Sequence, residues 1–108
     1  MSDTAQRPVS HCVYFKLKDR STEAVEALVA ECKEKLDGHP GVLAFNVGVV
    51  GTGFDRPVND NDWDVALYLL FEDRAAHDTY QMSERHQSYI ATNKDSWAEV
   101  RVFDAEVV

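Results

Sequence analysis

The segment HDTYQMSERHQSY, His77 to Tyr89, places two histidines and two tyrosines within thirteen residues. Histidine titrates near neutral pH and can take a proton from a carbon acid or a hydroxyl. A tyrosine hydroxyl can donate to a developing enolate or carbonyl oxygen. The pair suited to that division of labour is His86 as base and Tyr80 as donor, six residues apart. On one straight helix six residues turn through about 600°, which leaves two side chains about 120° out of line. A break at Met82–Ser83 removes the difficulty. Ser83 is a good N-cap, so a second helix starts there with His86 in its first turn, while Tyr80 ends the preceding piece. Both side chains can then enter one cleft. A helix start also favours the uncharged, basic imidazole. The structural alternative is a histidine that is merely hydrogen-bonded at a helix start.

The elements that must carry this pair follow from periodicity. HCVYFKLK (His11–Lys18) alternates, with His11, Val13, Phe15 and Leu17 on one face and Cys12, Tyr14 and Lys16 on the other; this predicts a strand. His11 is an ionisable ring on an otherwise apolar face, which marks it as a candidate pocket residue. Ser21 or Thr22 can cap a helix whose apolar positions are Val25, Leu28, Val29, Cys32 and Leu36, closed by Gly38 with Pro40 beyond. Val42–Val50 predicts a second strand and Trp63–Phe71 a third, joined by a long polar connection. Asp73 can cap a short helix reaching Tyr80 or Met82. The helix begun at Ser83 runs to about Lys94, with His86, Ile90 and Asn93 on a stripe that leads to Trp97 and faces the sheet. Trp97–Val108 predicts the last strand. The order β-α-β-β-α-β, with the second helix in two pieces, predicts an α+β ferredoxin-like fold: an antiparallel sheet with helices on one face.

Two helices cover one face of such a sheet, yet VALYLLF in the third strand is apolar on both. An apolar outer face of several hundred Å² is unusual on a soluble monomer. The expected cover is a second copy of the same sheet, in a two-fold homodimer whose sheets face each other; the alternative is a monomer with an exposed patch.

The chain has 108 residues and a formal net charge of −8. The length suits one domain, expected over residues 10–108 after a flexible polar tail at 1–9. The charge disfavours nucleic acid and anionic membrane surfaces as partners. No apolar run approaches the ~20 residues of a membrane span. MSDTAQRPVS lacks the basic start and apolar stretch of a signal peptide, so a cytoplasmic location is expected. Cys12 and Cys32 lack CxxC spacing and predict reduced buried thiols. DNDWD (Asp60–Asp64) begins like a calcium loop, but Val65 and Phe71 stand where glycine and glutamate belong, leaving a solvated acidic loop. The histidines show no HxxxH spacing, so neither a metal site nor a cofactor is expected. His39, in GHPG, is expected in an exposed turn. GTG is followed by no helix or lysine that would make it a nucleotide loop.

HCVYFKLKD, LLFEDRAAHDTY with a histidine six residues later, and the late VFD together resemble the stress-responsive A/B barrel (Dabb) family, over about His11 to Val107. The resemblance implies a homodimeric α/β barrel with face-to-face sheets. A plant polyketide cyclase of that family performs an intramolecular aldol condensation. Its tyrosine–histidine acid/base pair matches Tyr80 and His86, and its pocket-lining first-strand histidine matches His11. The sequence departs from the family in Glu84-Arg85-His86, where a His-Pro-x-His pattern is usual. It departs again at His77, where an aliphatic residue is common. His77 either extends the pocket's polarity or is a satisfied core histidine. The 51–62 connection is long for the family and could reshape the pocket entrance.

Three readings therefore stand. In the first, the chain is an enzyme of lyase or cyclase type. His86 and Tyr80 act on a small carbonyl compound held against His11, Val13, Phe15, His77 and Ile90. In the second, the same pocket binds a metabolite without reaction. In the third, the aromatic cluster is core and the dimer is a structural, stress-related protein.

Overall fold

The computed structural model describes residues 7–108. Its elements are β1 (Val9–Leu17), α1 (Thr22–Leu36), β2 (Val42–Val49), β3 (Val65–Phe71), α2 (Arg74–Met82), α3 (Glu84–Asn93) and β4 (Trp97–Glu106), with a 3₁₀ turn at Lys94–Ser96 before β4. The four strands form one antiparallel sheet in the order β2-β3-β1-β4. This is the ferredoxin-like α+β fold. β1 begins at Val9, which pairs with both Phe71 and Glu106, so it starts two residues before the His11 expected. Residues 1–6 of the expected tail lie outside the described residues.

Strict alternation decides which face is which. Val9, His11, Val13, Phe15 and Leu17 of β1 are buried toward the helices, as are Val65, Leu67, Leu69 and Phe71 of β3. Leu28, Cys32 and Leu36 of α1 and Tyr80 and Tyr89 of α2 and α3 close the core above them. The caps lie where expected. The side chain of Ser21 accepts from the Ala24 amide, Asp73 from Ala76 and Ser83 from His86. Each satisfies one of the orphan amides of a helix start.

α2 lies close over the start of β2 because Gly41 lets it. Gly41 has φ +80, and a Cβ there would run into the Ala76 side chain. A residue with a side chain would both strain the turn and push α2 off the sheet.

On the outer face Cys12, Tyr14, Ala66, Tyr68 and Leu70 are half-buried, so Cys12 is not the core thiol expected. Tyr14 stacks edge-on with Trp63 and Phe103 at 5.2 and 6.0 Å between ring centres. The 51–62 connection lies on this side, where it and the sheet enclose a groove of about 630 Å³ lined by Tyr14, Phe54, Trp63 and Phe103 among others. It does not line the cavity under the helices, which corrects the expectation that it shapes that entrance. Its carboxylates are paired as well as solvated. Asp60 meets Arg101 at 3.2 Å, Asp62 meets Lys16 at 2.7 Å and Asp64 meets Arg20 at 3.0 Å. The Asp60 and Asp62 pairs are exposed and set the path of the loop more than they stabilise it, whereas Asp64, beyond the connection, is mostly buried.

Candidate functional site

The helix break that the sequence demands is built on Ser83. Its hydroxyl donates to the Tyr80 carbonyl at 2.9 Å and accepts from the His86 amide at 3.1 Å. Its own amide also donates to the Tyr80 carbonyl, at 3.2 Å. One residue therefore ends α2 at Tyr80 and opens α3 before His86. Arg85 fixes the direction of α3 by donating to the carbonyls of Glu34 and Asp37, at the C-terminal end of α1, where a cation is favoured. The result brings the Tyr80 and His86 rings edge to face, 4.7 Å between centres.

Both rings line a cavity of about 330 Å³ between the helices and the sheet. All seven residues singled out from the sequence line it: His11, Val13, Phe15, His77, Tyr80, His86 and Ile90. Its open side lies along β4. Among the described residues no helix covers that strand, and Val100 and Val102 are exposed although they sit on the helix-side face. The groove on the other face is larger but is lined by no histidine, so the His86–Tyr80 pair lies in the smaller cavity.

Three lining residues carry a buried polar atom with no hydrogen-bond partner among the described residues: Tyr80 Oη, His77 Nε2 and Trp97 Nε1. Buried polar groups are nearly always partnered, and an orphan costs about 1–3 kcal/mol. Three orphans around one cavity mark it as the place where this chain departs from ordinary packing.

Electrostatics separate the two members of the pair. Burial foremost, then repulsion from His11, His39 and His77, lowers the His86 pKa to about 4. Burial raises the Tyr80 hydroxyl well above its usual range, which keeps its proton on. At neutral pH the cavity thus presents an uncharged imidazole beside a protonated phenol. On the sheet side, His11 Nδ1 donates to Asp104 Oδ1 at 2.5 Å. A carboxylate only accepts, so this contact fixes the His11 tautomer and leaves Nε2 with a lone pair. Burial holds the His11 pKa below its ordinary value, and Asp104 opposes that shift.

Three features were missed or misread from the sequence. Asp104 was seen only as part of VFD; its alternation with Val100 and Val102 could have put it on the His11 face. His39 is buried rather than exposed: its Nε2 donates to the Lys35 carbonyl at 2.8 Å and its ring packs on Tyr80 at 4.9 Å. The sheet-facing stripe of α3 centres on Tyr89, which is buried against Phe15 and Trp97 with its hydroxyl 3.3 Å from Cys32 Sγ. His86, Ile90 and Asn93 flank it, half-buried. Of the two readings of His77, a partnerless Nε2 among the described residues favours added pocket polarity over a satisfied core histidine.

The family model of the stress responsive A/B barrel domain matches residues 9–107. The chain belongs to that family. No curated protein matches this A/B barrel chain in sequence. Solved structures do match in fold. One is a Dabb family protein from Mesorhizobium loti with a ferredoxin-like fold, at TM-score 0.79 and 20% identity over 95% of this chain and 99% of that one. Another is a hydroxynitrile lyase from Passiflora edulis, at TM-score 0.77 and 13% identity over 95% of both chains. A third is a dimeric ferredoxin-like protein of unknown function from Thermobifida fusca, at TM-score 0.76 and 15% identity over 94% of this chain and 92% of that one. Among the described residues, no helix of this A/B barrel protein is long and apolar enough to cross a membrane.

Proposed function

We propose that this A/B barrel protein binds a small carbonyl compound in the cavity under α2 and α3 and catalyses enolisation or aldol-type bond making or breaking. The observation that carries the reading is the Tyr80 hydroxyl: buried, protonated, without a partner among the described residues, and beside an uncharged His86. A histidine with a pKa near 4 is a weak base, so it can take a proton from carbon only if the substrate oxygen is polarised at the same time. A donor with no competing partner is what that requires. His11, oriented by Asp104, and the apolar surfaces of Val13, Phe15 and Ile90 would hold the rest of the molecule. A cavity of this volume suits a compound of modest size. A hydroxynitrile lyase among the fold relatives supports the lyase direction.

The test is exchange of α-protons for deuterium in simple aryl methyl ketones, followed by proton NMR in D₂O. The native protein should accelerate exchange, and His86→Ala and Tyr80→Phe should each slow it by about 10²-fold or more. Saturable ketone binding without exchange would sink the catalytic reading and leave a binding module.

The same proposal places the cavity in a homodimer joined through the outer sheet faces. Phe103 is 49% exposed beside Tyr14 and Trp63, a cluster that one subunit leaves uncovered. Phe103→Asp should convert the dimer to monomer in sedimentation velocity. A native chain that sediments as a monomer at 100 μM (about a hundred times a typical μM dissociation constant) would refute the arrangement.

A further inference from the structure

We propose that His11, His77 and Asp104 form a binding site for a divalent transition-metal ion of the Zn²⁺ class, at the open side of the cavity. One ligand atom from each lies within 4.8 Å of the others. They come from β1, α2 and β4, so their linear spacing carries no metal signature, and only the fold assembles them.

His77 carries the argument. Its Nδ1 donates to Asp78 Oδ1 at 3.0 Å, since a carboxylate cannot donate. In the uncharged ring Nε2 therefore bears a lone pair. That atom is buried without a hydrogen-bond partner among the described residues and lies 3.9 Å from Asp104 Oδ1, with the His11 ring 5.3 Å away between centres. A lone pair facing a carboxylate oxygen at that distance is repulsive unless a proton or a metal cation stands between them. The contact to Asp78 is the outer-shell arrangement typical of metal-bound histidines, in which the second nitrogen donates to a carboxylate and aims the first. Two histidines and one carboxylate suit Zn²⁺ and its first-row neighbours, and three protein ligands leave a further position open. Ligand atoms on a tetrahedral ion lie about 3.3 Å apart, so an ion would part His11 and Asp104 from 2.5 Å and draw His77 in from 3.9 Å. The Asp104 side chain is 45% exposed and free to adjust. Its negative charge, with the Asp78 carboxylate behind His77, complements the cation. Coordination through His11 Nδ1 would move the proton it now gives to Asp104 onto Nε2, leaving the ring uncharged and the Asp104 oxygen free to ligate the ion. The inference does not depend on the His86–Tyr80 chemistry, because neither residue is a ligand.

Chelator-treated protein would be titrated with Co²⁺ at pH 7.5, following its visible d–d absorption, and the bound Co²⁺ displaced with Zn²⁺. The expected result is one ion per chain, a spectrum without thiolate charge-transfer bands, and displacement by Zn²⁺. His77→Leu and Asp104→Asn should weaken binding at least 100-fold, and Asp78→Ala, an exposed change that leaves packing intact, about tenfold. Cys12→Ser should bind as the native chain does. No binding by the native chain, or equal binding by His77→Leu and Asp78→Ala, would overturn the proposal. So would a charge-transfer band lost in Cys12→Ser.

Discussion

Tyr80→Phe should fold at least as stably as the native chain, and up to about 1 kcal/mol more stably. Tyr80→Ala should lose about 3–5 kcal/mol. The two substitutions separate the ring from its hydroxyl. The ring is 1% exposed and meets Phe71 at 5.1 Å, His39 at 4.9 Å and His86 at 4.7 Å between centres. Truncating it leaves a cavity that the sheet on one side and α1 on the other are too rigid to fill. The hydroxyl has no partner among the described residues, so its removal relieves a desolvation cost and breaks no bond. Urea unfolding midpoints of the three proteins provide the measurement. A Tyr80→Phe variant less stable than the native chain by more than about 1 kcal/mol would mean the hydroxyl is tied into the fold. The donor role proposed for it would then fall.

The second large effect concerns acid. Chelated protein should lose roughly 2 kcal/mol of stability between pH 7 and pH 4 through His86 alone, after discounting for a half-buried ring. The sign follows from the direction of the shift. His86 titrates near 4 when folded and near 6.5 when unfolded. Between those values the unfolded chain binds the extra proton, so stability rises with pH. The contribution is complete above the unfolded value and vanishes as the pH falls through the folded one. His11 is shifted in the same direction by its burial and adds to the loss. Urea unfolding at several pH values, compared with His86→Gln, isolates the histidine from the carboxylates. A slope unchanged in the variant would show that His86 is not buried as an uncharged ring. The ring signals of His86 in an NMR titration should then move near 6.5 instead of near 4.

Much of the fold was legible because local signals agreed with one another. The alternation of β1, the Ser21 and Asp73 caps and the Gly38–Pro40 stop each name an element boundary, and β-α-β-β-α-β order leaves few topologies. The Tyr80–His86 geometry was legible through a single capping residue, Ser83. What stayed hidden depends on distance across the sheet. Asp104 meets His11 over an antiparallel register that joins residues 93 positions apart. Periodicity places a side chain on a face but not beside a particular neighbour. His39 was misread for a related reason. A turn with glycine and proline reads as exposed, and the α1 carbonyl and the Tyr80 ring that bury it are tertiary contacts. Tyr89 rather than Ile90 centres the buried face of α3, because Phe15, Trp97 and Cys32 offer a slot for a long aromatic ring.

Ser83 links two parts of the molecule that a contact map would treat as separate. Its bonds reach the carbonyl of Tyr80 and the amide of His86. The interval between them is thus set by a joint, not by the pitch of a helix. A change at this serine would touch neither ring, yet it would alter the mutual aim of both. In genetic terms the base and the donor proposed here would behave as one locus, and their shared phenotype would map to a residue with no chemistry of its own.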